Sequence, residues 1–244
     1  VPESSRTAFD TLRVVERLAD EDSVTVLRPR FAPELITALA RIEGRPVGLL
    51  ANNSMHMAGT VTGEASDKAA RFMQLCDAFG LPMVSLVDTP GYMVGPDQEA
   101  RALVRHCSRV FVIGANLEVP VFTVVLRKAY GGAYAVMGCK QLGADLNFAW
   151  PSAKIAVMGA DSAAAVLTRK QTEGVGPAAA DKIRRDFINF YNENMATPYL
   201  AAERGYIDAV IEPSTTRLEL RKALAQLRDK RIEDVPRRHY LMPV

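Results

Sequence analysis

Residues 128–138 read "KAYGGAYAVMG", and they follow an apolar run, "VPVFTVVL" at 119–126, which they break with two adjacent glycines, Gly131 and Gly132. Glycine costs backbone entropy and offers no side chain to pack, so a pair at the end of a strand points to something that must approach the main chain closely. A strand end, a glycine pair and a helix start together expose the unpaired N–H groups of a first helical turn, with the positive end of the helix dipole behind them. Such a place stabilises an oxyanion. The plainer alternative is a tight strand-to-helix turn with close packing.

Working outward, strand and helix patterns alternate. "SDKAARFMQLCDAF" at 66–79 carries apolar residues at three- and four-residue intervals after a Ser/Asp cap, and Gly80-Leu81-Pro82 ends it. Met83 to Val87 then reads as a buried strand, Gln98 to Gly114 as a helix, Val121 to Leu126 as a strand, Gly132 to Leu142 as a helix and Ile155 to Met158 as a short strand. The strands are continuously apolar rather than alternating, which predicts a mostly parallel sheet covered by helices, an α/β fold. Before this region, Thr7 to Ala19 has helical period, with Pro2 and Ser4-Ser5 as start signals. Val24 to Leu27, Leu35 to Ile42 and Val47 to Ala51 read as strands, the last two forming a hairpin around Glu43-Gly44-Arg45-Pro46. After it, helices at Pro177 to Asn194 and Thr215 to Lys230 flank a short strand at Ala209 to Ile211. No linker, low-complexity segment or internal repeat divides residues 1–244, so one domain is expected.

The chain has 244 residues, 48% of them hydrophobic, enough for a substantial core. Lys and Arg number 30 against 28 Asp and Glu, and a balance of +2 gives no general field for nucleic acid or a membrane surface. The local basic excess at Arg217, Arg221, Lys222, Arg228 and Arg237-Arg238 reads as solvated surface. Cys76, Cys107 and Cys139 are far apart and odd in number, which argues against a disulfide framework or a zinc site and fits a reducing cytoplasm. The charged start does not read as a signal peptide, and no apolar run reaches membrane-spanning length.

The familiar chemical motifs are missing: GxxxxGK[ST], GxGxxG after a strand, HExxH and GxSxG. His106, within a helical pattern, and His239, in the basic tail, read as structural or surface residues, whereas His56 sits in a loop after a strand as a possible site neighbour. Asp88-Thr89-Pro90-Gly91 closes a strand where open α/β sheets place ligand loops, and it is equally an ordinary turn. Ala58-Gly59 carries the same two readings.

"RIEGRPVGLLANN", "DKAARFMQLCDAFGLPMVSLVDTPGY", "LRKAYGGAYAVM", "NFAWPSAKIAVMGA" and "AAERGYIDAVIEPSTTR" occur in this order. Together, over nearly the whole chain, they resemble the C-terminal half of the carboxyltransferase (beta) subunit of biotin-dependent acyl-CoA carboxylases of the propionyl- and acetyl-CoA type. The resemblance implies a crotonase-like fold, a spiral of ββα units, here as a single lobe spanning 1–244. It implies that this lobe receives carboxybiotin from a carrier protein, while an N-terminal carboxyltransferase lobe binds the acyl-CoA and a biotin carboxylase subunit charges the biotin. The assembly is a homo- or hetero-oligomer, without metal.

The implied chemistry takes its reactive atoms from cofactor and substrate: loss of CO2 from carboxybiotin leaves a ureido base for the α-proton of the acyl-CoA, and the resulting carbon captures CO2. The protein then mainly positions these groups and stabilises charge on oxygen. By resemblance, Gly132 and Ala133 donate N–H bonds to the biotin ureido oxygen, Tyr130, Gly131 and Tyr134 border the biotin, and Ala135, Ala58, Gly59, Pro90 and Gly91 border the acyl-CoA. Two departures stand out. Many family members have an aspartate where this chain has Ala135, and "MHMAGTVT" at 55–62 lacks the "CLD" ending common among relatives. Other classes that fit are a biotin-independent crotonase-like decarboxylase or hydratase, and a non-catalytic assembly lobe.

Overall fold

The computed structural model describes residues 1–231 apart from Glu3 and Ser5, so Arg237, Arg238 and His239 lie outside the described residues. The strands are β1 (Thr25–Leu27), β2 (Leu35–Ile42), β3 (Arg45–Asn52), β4 (Met83–Thr89), β5 (Val121–Tyr130), β6 (Leu146–Ala149), β7 (Lys154–Ala156) and β8 (Ala209–Val210). They form one sheet in the order β1-β2-β3-β4-β5-β6-β8, with β7 pairing β5. The first three are antiparallel neighbours, and every pairing from β3 onward is parallel. The expected hairpin is present. Its turn is Glu43-Gly44 alone, with φ of +51° and +75°, the two left-handed residues whose twist suits a two-residue hairpin.

Both faces of the sheet are covered, which is why its strands read as unbroken apolar runs. One face, with Leu50, Val87 and Val125, packs on Phe72, Met73 and Cys76 of α2 (Gly63–Ala78), after α1 (Leu12–Leu18) has crossed to the other side. That other face, with Leu49, Leu86 and Val124, packs on Val15 and Leu18 of α1 and on Leu220 and Leu224 near the C-terminus.

Helix boundaries differ from the sequence expectation where tertiary bonds intervene. Residues 7–11 are not helical: the Thr7 carbonyl accepts from Arg127 at 2.8 Å, and Phe9 N–H and C=O both bond Ser54 Oγ at 3.0 Å. Helix α2 starts at Gly63, because Thr62 Oγ1 accepts the Ala65 N–H at 3.0 Å, and Ser66 and Asp67 lie inside the helix. The expected helix 98–114 is two, α3 (Pro96–Ala100) and α4 (Leu103–Gly114), broken by Ala102 at φ +57°. The expected helix 132–142 is α5 (Gly131–Val136) followed by a 3₁₀ turn at Lys140–Leu142. Gly138, at φ +105°, separates them, and a Cβ there would lie 2.7 Å from Thr123 Oγ1.

Strand β6 and the helices α6 (Ala160–Leu167), α7 (Arg169–Thr172) and α9 (Pro198–Glu203) were not expected, whereas α8 (Pro177–Asn194) runs as its proline start predicts. The last helix, α10 (Thr216–Gln226), is anchored by Trp150 Nε1 donating to Thr216 Oγ1 at 2.9 Å. Arg217 is more than solvated surface: it donates to the Leu18 and Ala19 carbonyls that end α1 and pairs with Asp20 at 2.7 Å.

Lys68, on α2, is buried, and its ammonium donates to the carbonyls of Phe31, Ala32 and Leu35 at 2.7, 3.2 and 2.6 Å. Burial pushes its pKa down to about 8 from the ordinary 10.5. Between those values the unfolded chain holds the proton and the folded chain does not, so stability rises with pH across this window. The cost is fully present below about pH 8. Urea titrations of the wild type and Lys68→Met at both ends of the window should show the wild type gaining relative to the variant as pH rises; parallel behaviour would contradict the assignment.

Candidate functional site

Strands β3, β4 and β5 run parallel, so their carboxyl ends share one edge of the sheet, where ligand loops of α/β proteins gather. The three segments leaving that edge touch. Val61, after β3, forms a one-residue parallel bridge with Tyr92, after β4: Val61 N–H donates to Gly91 O at 3.0 Å and Met93 N–H to Val61 O at 2.9 Å. The Tyr92 ring in turn lies against Gly132, after β5, where an added Cβ would be 3.1 Å from Tyr92 Cε2. The structure therefore brings Ala58-Gly59, Pro90-Gly91 and Gly131-Gly132 together.

Strand β5 passes into α5 with no intervening loop. Gly131 makes the corner at φ +58°, and a Cβ on it would sit 3.0 Å from the Val157 carbonyl. Gly132 is exposed, and Ala133 is fully buried. The two glycines thus have separate local causes, a left-handed corner and a neighbouring ring. Among the described residues, the N–H groups of Gly132 and Ala133 meet no protein acceptor, as the first turn of a helix leaves them. The Ala58 N–H is in the same condition, within three successive left-handed residues, Met57, Ala58 and Gly59, at φ +46°, +54° and +77°. Left-handed non-glycine residues cost about 1–3 kcal/mol each and persist where surroundings hold them.

The side chains around this edge support it. Tyr134 is buried and its hydroxyl accepts from Asn147 Nδ2 at 3.4 Å; burial pushes its pKa up to about 12. Tyr130 packs on Gly159, where an added Cβ would meet its ring at 3.2 Å, and burial likewise raises it to about 12. Ala135 is half-buried and, with Tyr92 and Phe111, packs on the core cluster shared by α2 and α4. Pro90 is exposed. His56 is exposed on the loop after β3, and His106 bonds Asp67 through Nδ1 at 2.8 Å, tying α4 to α2.

Beneath the loops lie Asp88 and Thr89, expected in a ligand loop or an ordinary turn, and Arg127 and Lys128, which the sequence reading passed over. Asp88 and Thr89 belong to β4 and are fully buried, so the turn there begins only at Pro90. Asp88 pairs with Arg127 Nη2 at 2.7 Å, accepts the Lys128 N–H at 3.2 Å and lies 3.6 Å from Lys128 Nζ. Burial lowers the Lys128 pKa, against the pull of Asp88. The signal was present as "RK" continuing the apolar run of β5. Among the described residues no cluster of three or more His, Cys, Asp or Glu forms a metal site.

The profile of the carboxyl transferase domain matches residues 1–242. The chain is 48% identical over its whole length to the biotin-dependent long chain acyl-coenzyme A carboxylase beta4 subunit of Mycobacterium tuberculosis, covering 47% of that protein. It is 44% identical to the propionyl-CoA carboxylase beta chain of Saccharopolyspora erythraea, covering 45% of it. In three dimensions it superposes, with a TM-score of 0.95 and 40% identity, on a transcarboxylase 12S chain crystallised with methylmalonyl-coenzyme A and methylmalonic acid bound. All of this chain and 46% of that one are covered. The fold is the crotonase-like α/β fold of carboxyltransferase domains, and the chain spans about half the length of the relatives it matches.

Gly59 and Gly91 both have positive φ but different surroundings. A Cβ at Gly59 would lie 2.5 Å from the Asp88 carbonyl, whereas one at Gly91 meets nothing within 4 Å. Gly59→Ala should therefore cost clearly more stability than Gly91→Ala, about 1–3 kcal/mol more by the usual penalty for overpacking. Thermal melts of the two variants check this, and equal losses would contradict the packing described.

Proposed function

The chain belongs to the carboxyl transferase domain family, and we propose that residues 1–244 are the C-terminal, biotin-side lobe of an acyl-CoA carboxylase carboxyltransferase. Its reaction moves the carboxyl group from carboxybiotin, presented by a carrier protein, to the α-carbon of an acyl-CoA. The observation that carries this reading is the set of N–H groups at Ala58, Gly132 and Ala133, which meet no acceptor among the described residues, on segments that meet at one sheet edge. Gly132 is exposed at this edge and carries no side chain over its own amide, so the residues present fit the carbonyl-bearing ring of biotin.

When bound, carboxybiotin supplies the carboxyl group and a ureido nitrogen able to take a proton. The Gly132 and Ala133 amides hold the ureido oxygen, Gly131 sets their direction, and Tyr130 and Tyr134 brace the turn. Across the edge, Ala58 and Gly59 face the thioester, bordered by Pro90, Gly91 and Ala135. Donors aimed at developing oxyanions need no acid or base side chain beside them, which matches a site built from backbone.

The relatives' lengths support a second, N-terminal lobe as partner, along with a biotin carboxyl carrier and biotin carboxylase subunit in an oligomer. Val94 and Val157, 83% and 78% exposed on the loops beside Tyr92 and Gly131, give that lobe apolar surface to cover. No helix among the described residues is long and apolar enough to cross a membrane, and three buried free thiols suit the cytoplasm.

Turnover is measured with the N-terminal lobe, biotinylated carrier and acyl-CoA together. The chain alone should form no carboxylated acyl-CoA, and the assembled protein should form it. Gly132→Val should cost about 10²–10³-fold in kcat, the usual loss for one oxyanion donor, with the fold retained. Biotin-independent turnover of an acyl-CoA would instead favour a crotonase-like decarboxylase or hydratase, and no turnover a purely assembling lobe.

Substrate choice follows from Ala135, whose methyl takes less room than an aspartate and carries no charge. Longer apolar acyl chains are therefore accepted, and the beta4 relative of Mycobacterium tuberculosis, a long chain acyl-CoA carboxylase subunit by name, supports this. Ala135→Asp should shift kcat/KM toward short acyl-CoAs in a graded way, at about 0.8 kcal/mol per buried methylene. Unchanged ratios would show that Ala135 serves packing alone.

A further inference from the structure

Asn52, the last residue of β3, is 1% exposed, and neither end of its side chain reaches solvent. The β3–β4 ladder runs from Gly48↔Met83 to Ala51↔Leu86 and stops there. Beyond that point the Asn52 side chain takes over the connection. Its Oδ1 accepts the Asp88 N–H of β4 at 3.2 Å, and its Nδ2 donates at 3.2 Å to the carbonyl of Gly59, in the left-handed loop that follows β3.

The same bond path continues into the next strand. After Val87↔Val125 the next pair in register is Thr89↔Ala129, so Leu126, Arg127 and Lys128 of β5 stand opposite Asp88 alone. The Asp88 carboxylate closes this irregularity by accepting the Lys128 N–H at 3.2 Å, two residues before the Tyr130 that starts the glycine turn. Gly59, Asn52, Asp88 and Lys128 thus form one line of hydrogen bonds across three strand ends. It lies directly behind the loop carrying the Ala58 amide and the turn carrying the Gly132 and Ala133 amides.

We infer that Asn52 is a positioning residue for the site, setting the Ala58 amide relative to those of Gly132 and Ala133; this rests on the carboxyltransferase reading above. A carboxamide suits the task because one planar group both donates and accepts, so it spans two main-chain groups that face it from strand β4 and from the loop after β3. An apolar residue of similar size fills the volume but leaves the Asp88 N–H and the Gly59 carbonyl buried and unpaired. Because the amides act on charge that develops during reaction, misplacing them lowers turnover rather than substrate binding.

The test uses the full subunit assembled with its biotinylated carrier, first as wild type. A wild type that transfers no carboxyl group overturns the functional reading itself. With an active wild type, Asn52→Ala should lower kcat by about 10²-fold, the scale of an ångström-level misplacement, while KM for acyl-CoA stays within about twofold. In an Asn52→Ala, Gly59→Ala double variant the two losses in kcat should fall short of multiplying, since both act on one loop. A folded Asn52→Ala enzyme with kcat within about twofold of wild type overturns the inference, and so does a change confined to KM. Asn52→Ser, whose hydroxyl reaches only one of the two groups, is the second variant and should show the same loss confined to kcat. If neither variant folds, the inference is overturned as well, because Asn52 then serves folding rather than position.

Discussion

A carboxylate with no solvent exposure has to be matched by charge and hydrogen bonds, and Asp88 imposes that requirement on everything around it. Arg127 meets it with Nη2 and Nε, at 2.7 and 3.3 Å, and is itself buried, so its remaining donors must also be used. Nη1 reaches the carbonyls of Ser4 and Thr7 at 2.8 Å, and the guanidinium lies 4.6 Å from the centre of the Phe9 ring. One ion pair thereby lays the N-terminal segment across the strand ends and fixes where β5 departs from regular pairing. Removing Asp88 would leave the buried Arg127 charge uncompensated, at about 3–5 kcal/mol, whereas without Arg127 the carboxylate keeps Lys128 Nζ at 3.6 Å. The pair is less a source of stability than a specification of geometry.

On the carboxyltransferase reading proposed above, backbone chemistry explains why so little of the site consists of reactive side chains. Amides at strand ends and helix starts already carry the partial charge that an oxyanion needs, and parallel strands deliver several such ends to one edge. The sequence has only to keep side chains out of the way, and it does so with Gly131, Gly132 and Gly59. Each has its own physical reason: a corner beside Val157, a ring at Tyr92, and the Asp88 carbonyl.

Much of this was legible beforehand, and the failures have identifiable causes. Continuous apolar runs at Met83 and Val121, separated by helical periods, announced buried parallel strands, and Glu43-Gly44-Arg45-Pro46 announced a hairpin. Strand β5 was read too short because Arg127 and Lys128 look like the polar end of a strand, and only the partner Asp88 makes them interior residues. Strand β6 was missed because Leu146–Ala149 is four residues with Asn147 among them, and the Asn147 Nδ2 finds its acceptors only in the distant Tyr134 hydroxyl and Gly138 carbonyl. The break at Ala102 left no trace, since alanine in a left-handed conformation has no local signature. The glycine turn was visible at once, but Asp88 read equally as part of a ligand loop or an ordinary turn and Asn52 drew no reading, because nothing local says that their side chains bond strands rather than solvent.

Residues 157–197 leave the sheet as a helical excursion with a small core of its own, built on Ala160, Ala163, Tyr191 and Ala196 with Phe187 and Ile188 beside them. It is tied back by Lys154 Nζ to the Asn192 carbonyl at 2.9 Å and by the Tyr191 hydroxyl to the Met158 carbonyl at 3.1 Å. A unit with so little buried apolar surface opens at a lower free energy than the strands beneath it and behaves as a separate foldon. Val157, whose carbonyl stands over Gly131, sits at its root. Opening of this outer unit would draw the Val157 carbonyl away from Gly131 without breaking the Asp88 pair, which lies against the opposite edge of β5.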